Sequence, residues 1–181
     1  MKQYWIVKTS ADDDGEIVKE YWEEFKDPNK NEGKTVIAIG WMNNHSFDPD
    51  KISKKEILAY ISGKYYPATP RRALVATNII WKFLHEMKVG DEVILCKGFP
   101  GNQKKPVRVY GIAEITGTNW NHIESSWGFH LKRQVNYISI IEKDFDINKF
   151  TELIGKKSLR LTIHEINESN FNQTKEWLTT I

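Results

Sequence analysis

The chain has 181 residues, of which 40% are hydrophobic and 28% are charged. This balance is typical of a globular protein and excludes a disordered chain, and the length fits one domain over residues 1–181. The formal net charge of +2 leaves a nucleic-acid partner open, because such binding needs a basic patch on one face and not a large total charge.

Two absences in the sequence bear on the compartment of the protein. The single cysteine, Cys96, lies in an apolar run and cannot form an internal disulfide, so we expect a buried core residue in a reducing compartment. No run of about 18 apolar residues occurs, and the polar start Met1–Gln3 does not resemble a signal peptide. We therefore expect a cytoplasmic protein with no membrane partner.

The N-terminal half predicts two strands and three helices. Tyr4–Val7 and Thr35–Trp41 are short apolar runs of the kind that form strands. A helix between them would place four apolar side chains on one core-facing side, namely Ile17, Tyr21, Trp22 and Phe25.

Two start signals mark the helices that follow. Ser53 and Glu56 form a capping-box pattern, which predicts a short helix from that point. Pro70 opens a longer helix, on which we expect Trp81 to be buried.

The C-terminal half predicts mainly strands. They are expected at Glu92–Lys97, Val107–Ile115 and Leu131–Ile141, with a last one through Leu159, Leu161 and Ile163. In the second of these, strict alternation would place Val107, Val109, Ala113 and Ile115 on one face and Tyr110 and Ile112 on the other. A helix over Ile147–Ile154 would end at Gly155, and Phe171 with Leu178 predict a terminal helix. About six strands with helices among them predict an α+β domain, favouring a small mixed β-barrel with helices packed outside.

The motifs of common catalytic and metal sites are missing. The sequence has no G-x-x-x-x-G-K-[ST] loop, no G-x-S-x-G elbow and no H-E-x-x-H pair, and its five histidines do not have the spacing of metal ligands. We therefore expect no catalytic residue, no metal and no cofactor.

Three tryptophans lie in polar, loop-like sequence outside any core periodicity: Trp41, Trp120 and Trp127. A large ring left at a loop edge forgoes burial worth about 1.5–3 kcal/mol. Its position is explained if the ring stacks on a nucleobase or on a methylated group. The alternative is that each ring is half-buried and closes the end of the barrel.

Basic residues indicate where phosphates would bind. Arg71 and Arg72 start a predicted helix, where the macrodipole disfavours cations, so a phosphate between them and the helix N-terminus would explain their position. A second set brackets a Gly/Pro-rich loop: Lys97, Lys104, Lys105 and Arg108. In both cases the alternative is that the side chains simply point into solvent.

The order and spacing of four segments resemble the PUA-like superfamily, with its EVE and YTH branches closest. The segments are Tyr4–Ser10, Ile39–Trp41, Met87–Val93 and Val109–Gly117, and the resemblance covers nearly the whole chain. It implies a pseudo-barrel whose open end holds an extruded base in an aromatic cage.

The resemblance also implies which residues would line that cage. Trp41 matches one cage tryptophan at the end of a strand, and Trp120 and Trp127 both match the second, in the loop after the G-x-A-E strand. Polar residues that would line the pocket by this resemblance are Thr9, Ser10 and Asp12. Hydrogen bonds from Ser10, Asp12 or Asn43 would then read the edge of the base.

In functional terms, the resemblance implies a non-catalytic module that recognises a modified, methylated base, in DNA more than in RNA. Similar domains occur as specificity modules of McrB-type modification-dependent restriction systems, ahead of an AAA+ GTPase that works with a nuclease. Three alternatives stay open: a PUA-like RNA-binding module, a protein-interaction module, and a PUA-like hydrolase of modified nucleosides with Glu114 or Lys97 as its reacting group.

Overall fold

The computed structural model describes residues 1–8, 22–40, 42, 47–97, 106–117, 131–156 and 162–180. These residues contain six strands: β1 (Tyr4–Lys8), β2 (Thr35–Ile39), β3 (Glu92–Cys96), β4 (Val107–Ile115), β5 (Leu131–Phe145) and β6 (Ile163–Ile166). Their helices are α1 (22–26), α2 (Lys54–Lys64), α3 (Pro70–Trp81), α4 (Ile147–Leu153) and α5 (Glu168–Thr180). A 3-10 turn (Pro28–Lys30) precedes β2, and a π-helical segment (Lys82–Glu86) continues α3.

The strands form one mixed sheet in the order β2-β5-β4-β3-β1-β6. β1 pairs in parallel with β3, whereas the other neighbouring strands are antiparallel. The sheet is curled into a half-barrel, and its end strands β2 and β6 do not pair with each other among the described residues. The α+β class, with about six strands in one curled sheet and helices packed against it, is confirmed.

Both faces of the sheet are covered by helices. Alternation along β1 sends Trp5 and Val7 to one face and Tyr4 and Ile6 to the other. The first face packs under α1, α2 and α3 in the larger core, and the second packs under α4 and α5 in the smaller core. The sheet thus lies between two helical layers.

One buried carboxylate ties β1 to the turn before β3. Asp91 is 1% exposed, and its oxygens accept hydrogen bonds from the backbone N–H of Gln3 (2.8 Å) and of Lys88 (2.8 Å), and from the indole Nε1 of Trp5 (2.9 Å). Gly90 precedes it with φ of 92°, a conformation that favours glycine. The Lys-x-Gly-Asp pattern of this turn is therefore explained by structure, because it fixes the register of the parallel pair.

The expected strict alternation along β4 was wrong. Val107 and Val109 pack in the smaller core, whereas Ala113 and Ile115 pack in the larger one. The change of face occurs between Tyr110, which packs in the larger core, and Ile112, which packs in the smaller one, where the pairing of β4 with β5 first shifts register. The first shift lies at Gly111, where an added Cβ would stand 2.6 Å from a backbone carbonyl of β5.

Three predictions about single side chains can be compared with the structure. Trp22 is buried as predicted, and Cys96 is fully buried, which raises the pKa of its thiol to about 12. Trp81 differs, because it is only half-buried and its ring lies 4.0 Å from the ring of His85. At the C-terminal end, Ile163 starts β6, whereas Leu159 and Leu161 lie outside the described residues.

Candidate nucleic-acid interface

The residues predicted for the base cage all lie outside the described residues, so their arrangement stays a prediction. They are Thr9, Ser10, Asp12, Trp41, Asn43, Trp120 and Trp127. Lys104 and Lys105 of the predicted phosphate-binding set lie outside as well. The site can therefore be built only from the basic residues that the structure does describe.

The helices α2 and α3 form an antiparallel hairpin. Ser53 caps α2 through the predicted capping box, and Pro70 opens α3 as expected. The start of α2 lies beside the end of α3, because the Lys54 Nζ is 5.9 Å from the centroid of the Trp81 ring. The other end of the hairpin therefore brings the last turn of α2 next to the first turn of α3.

This end, which we call the hairpin tip, combines aromatic rings with cations. The Lys64 Nζ lies 5.5 Å from the ring centroid of Tyr60 and 5.7 Å from that of Tyr65. The two tyrosine rings are 6.1 Å apart at an interplanar angle of 69°. We define the hairpin tip as Tyr60, Lys64, Tyr65, Tyr66, Arg71 and Arg72, in which the three tyrosines are partly exposed.

Arg71 and Arg72 contribute the charge of the tip. Both are exposed in the first turn of α3, which holds no acidic residue. The N-cap residue Thr69 makes no side-chain hydrogen bond to the helix. Among the described residues no acidic side chain pairs with either arginine. The positive helix end and both guanidinium groups thus remain available to an anion.

Basic side chains in much of the remaining described structure are paired with acids. The pairs are Lys2 with Glu92, Lys26 with Glu142, Lys132 with Glu24, Lys149 with Glu152 and Lys175 with Glu92. Two cations of β5 are also buried, where Lys132 bonds to Glu24 at 2.6 Å and the Arg133 Nη1 donates to the Phe83 carbonyl at 2.8 Å. Such pairing neutralises charge, and among the described residues no pair of this kind involves Arg71 or Arg72.

The second predicted basic ridge is less available for an anion. Lys97 is partly buried, and its backbone N–H donates to the Arg108 carbonyl at 2.8 Å. The guanidinium of Arg108 pairs with Asp144 at 3.4 Å. The structure therefore brings Lys97 and Arg108 together, but Arg108 already has Asp144 as an acidic partner.

The tyrosines of the hairpin tip were missed at the level of sequence. Their signal is the interleaving of aromatic and basic residues in Lys64-Tyr65-Tyr66, a pattern typical of nucleic-acid binding. Residues 51–72 also carry six basic residues against one acidic residue. A local charge count would have found this surface, which the total of +2 conceals.

The hydrolase alternative named Glu114 or Lys97 as its reacting group, and the described residues do not place the two in a common site. The Glu114 carboxylate has 42% side-chain exposure and lies 3.7 Å from the Lys2 Nζ. Neither Glu114 nor Lys97 lines the cavity between α3 and the start of α5. Within the described ranges, no three His, Cys, Asp or Glu side chains are grouped so that they could hold a metal ion. Nor does any helix in those ranges have the length and apolar character to cross a bilayer.

Solved structures similar to this chain come from several sources. The Mmi1 YTH domain in complex with RNA has a TM-score of 0.48 and 10% identity, covering 99% of this chain and 79% of its own. A hypothetical protein from Leishmania major has a TM-score of 0.45 and 10% identity, covering 99% and 96%. Human THYN1 in complex with 5-methylcytosine-containing DNA has a TM-score of 0.44 and 11% identity, covering 99% and 97%.

Sequence comparison identifies the family. No curated protein matches the chain. A family model described as "Domain of unknown function (DUF8426)" matches residues 16–167, which include five of the six strands and the whole hairpin tip. The chain therefore belongs to the DUF8426 family.

Proposed function

We propose that this protein is a non-catalytic nucleic-acid-binding module that recognises a modified, methylated base. The observation that carries the proposal is the hairpin tip, where Arg71, Arg72 and Lys64 stand beside partly exposed tyrosines. Arginine and lysine bind phosphates without regard to sequence, and tyrosine faces stack on bases. One surface therefore offers both kinds of contact that a flexible or single-stranded segment needs.

The base itself is assigned to the predicted cage of Trp41, Trp120 and Trp127. Extruding a base costs a few kcal/mol, and stacking on an aromatic ring returns about 1–3 kcal/mol per base. A methyl group enclosed by such rings would add about 0.8 kcal/mol. Ser10, Asp12 and Asn43 would then read the edge of the base through hydrogen bonds, while the hairpin tip holds the flanking backbone.

The finer parts of the proposal concern the partner and the setting. We propose DNA over RNA, and a role as the specificity module of a modification-dependent restriction system in the cytoplasm. An AAA+ GTPase and a nuclease would then act on the site that this module has marked. This part rests on the resemblance to McrB-type specificity modules.

The test is a titration of matched oligonucleotides. DNA and RNA strands of one sequence, unmodified or bearing N6-methyladenine or 5-methylcytosine, are titrated by fluorescence anisotropy. We expect one methylated DNA strand to bind about fourfold more tightly than its unmodified match, because the base stacks in the cage in both strands and only the buried methyl, worth about 0.8 kcal/mol, differs. Trp41→Ala should remove this preference, whereas Trp177→Phe, a change on α5 against the smaller core, should keep it.

Two outcomes would count against the proposal. Equal binding of all strands by the wild type and by Trp41→Ala would refute the reading of a modified base. Mass spectrometry of the oligonucleotides after incubation provides the second check, because conversion of the modified base into a product would refute a non-catalytic role.

A further inference from the structure

A cavity of about 530 Å³ lies between α3 and the start of α5. One side of it is formed by α3, and the rest by the end of α4, the strand β6 and the first turn of α5. Its volume is within the range of about 300–1,000 Å³ that is typical of sites for small molecules. The space is therefore large enough for a nucleobase with its sugar.

The cavity continues the surface of the hairpin tip. Arg71, Val75 and Asn78 follow one another at spacings of four and three residues, so they lie on one face of α3. Arg71 and Asn78 are exposed, and Val75 is 41% exposed. Val75 and Asn78 line the cavity, whereas Arg71 belongs to the tip. One exposed helix face thus connects the cations of the tip with the cavity.

This connecting face carries no negative charge, because α3 contains neither aspartate nor glutamate. Asn78 comes seven residues after Arg71, which corresponds to about 10 Å along the helix axis. Successive phosphates of a stacked strand are about 3.4 Å apart along its axis, so at most about three nucleotides fit between the two side chains. A strand whose phosphate is held by Arg71 would therefore reach the cavity within about three nucleotides.

The charge of the cavity is nearly balanced, which favours a neutral guest. Lys82 and Lys156 line it together with Glu165. Lys82 also lies 3.8 Å from the carboxylate of Glu86, and Glu168 occupies the first turn of α5. A phosphate is stabilised more by the two exposed arginines of the tip, which no described acid neutralises. The cavity therefore suits the uncharged part of a nucleotide, which is the base.

Amide groups give the cavity its hydrogen-bonding character. Asn78, Asn167 and Asn170 reach it from α3, from the turn before α5 and from α5 itself. Within the described part of the chain, the side-chain amides of Asn78 and Asn170 form no hydrogen bond. A side-chain amide both donates and accepts, as the edge of a nucleobase does. These two amides are therefore available to pair with the edge of a base.

Apolar side chains of the cavity would contact the faces of that base. Val75 and Ile79 come from α3, and Ile154 comes from the end of α4. Pockets for single bases combine such contacts on the faces with hydrogen bonds at the edge. A Cβ at Gly155 would collide with the Nδ2 of Asn170, so the lack of a side chain there keeps this amide at the cavity wall.

We propose that the cavity binds a second, unmodified nucleobase of the strand, whose backbone runs along α3 from the hairpin tip. The inference rests on the proposed nucleic-acid binding and adds a second base site to the predicted cage of Trp41. Asn78 and Asn170 would read the edge of this base, and Arg71 would hold a phosphate within three nucleotides of it. The protein would thereby select the sequence near the modified base.

A scan with abasic positions tests the inference on the full chain. The probe is a labelled methylated DNA strand in which one base at a time is replaced by an abasic residue, and binding is measured by fluorescence anisotropy. The test variant combines Asn78→Ala and Asn170→Ala. The matched control combines Asn148→Ala and Asn172→Ala, at two exposed asparagines of α4 and α5 that do not line the cavity. Circular dichroism verifies that both variants are folded.

We expect one position besides the methylated base where an abasic residue weakens binding to the wild type at least about fivefold. In the test variant this loss should shrink at least about threefold, because the base has no amide partners left to lose, whereas the control variant should keep it. In NMR spectra, the side-chain amide signals of Asn78 and Asn170 should shift with the intact strand but not with the strand that is abasic at this position.

Contrary results separate this inference from the proposed function. If no position depends on the two asparagines, or if their amide signals stay in place, the cavity holds no base, and a preference for the methylated strand then stands by itself. If that preference is absent while an asparagine-dependent position remains, the reading of a modified base fails and the second base site stands. A chain that binds no strand at all would overturn both.

Free nucleotides provide the last comparison. The four deoxynucleoside monophosphates, at the same concentration as the strand, should leave the amide signals of Asn78 and Asn170 in place, because a single nucleotide in the cavity lacks the phosphate contacts at the tip. An equal shift with a free nucleotide would show a mononucleotide site and overturn the link to the strand.

Discussion

The sharpest consequence of the hairpin tip concerns the salt dependence of oligonucleotide binding. The perturbation is the double substitution Arg71→Ala and Arg72→Ala, two exposed positions of α3 whose side chains pair with no described acid. Alanine is a better helix former than arginine, so the fold should not weaken. Any loss of binding would then come from lost phosphate contacts.

The expected magnitude follows from the number of cations removed. For single strands, each neutralised phosphate contributes about 0.7 to the slope of log affinity against log salt concentration. If each arginine holds one phosphate, the double variant should lose about 1.4 from the slope, and adding Lys64→Ala should lose about 0.7 more. The affinity itself should fall for methylated and unmodified strands alike, because phosphate contacts carry no information on the base.

The measurement is fluorescence anisotropy with a labelled single strand between about 50 and 200 mM salt. A matched control is the double substitution of Lys149 and Lys175 by alanine, which removes the same charge from cations that are already paired with acids. The reasoning is refuted if the arginine variant keeps the wild-type slope, or if the control variant loses as much as the arginine variant does.

Three predictions concern the fold. Asp91→Ala, which leaves three donors without their acceptor, should lower the free energy of unfolding by about 3–5 kcal/mol in urea titrations, whereas Asp144→Ala on the surface should change it little. Gly111→Ala should cost about 1–3 kcal/mol because its Cβ meets a backbone carbonyl, whereas Gly63→Ala, in open space on α2, should be neutral or stabilising. Hydrogen bonds from Lys26 and Trp22 lower the pKa of Glu142 below the ordinary value of 4.5. The ionised carboxylate therefore contributes to the free energy of unfolding above that pH, and this contribution is lost as the pH falls further. The difference in melting temperature between wild type and Glu142→Gln should accordingly narrow on acidification, and a constant difference would contradict this assignment.

Local signals in the sequence were sufficient for the ends of helices. Ser53 and Pro70 mark the starts of α2 and α3 through backbone chemistry that needs no tertiary context. Gly155 likewise follows α4 with the positive φ expected of a C-cap glycine. Each of these signals depends on a few neighbouring residues, which is why it could be predicted.

Features that depend on pairing between distant strands could not be predicted. The register shift of β4 against β5 at Gly111 exchanges which side chains face each core, and no local pattern around Gly111 encodes it. Burial of Lys132 and Arg133 is a similar case, because their partners Glu24 and Phe83 come from remote segments.

The candidate site also combines features that local sequence predicts with features that depend on the tertiary fold. Arg71 and Arg72 were predicted from their place at a helix start, which is a local property. The contacts of Lys64 with Tyr60 and Tyr65 are local to the end of α2, but their grouping with the two arginines requires knowing that α2 and α3 fold back on each other.

The central place of β1 in the sheet has a consequence for biosynthesis. The indole of Trp5 donates a hydrogen bond to Asp91, which lies 86 residues later in the chain. The side chain of Gln3, just before β1, donates one to Glu165, which lies 162 residues later. A ribosome releases β1 early, yet both flanking strands emerge much later, so β1 must wait with its apolar side chains unprotected. We therefore expect slow maturation of the nascent chain and a need for chaperones that shield this segment until translation has passed β6.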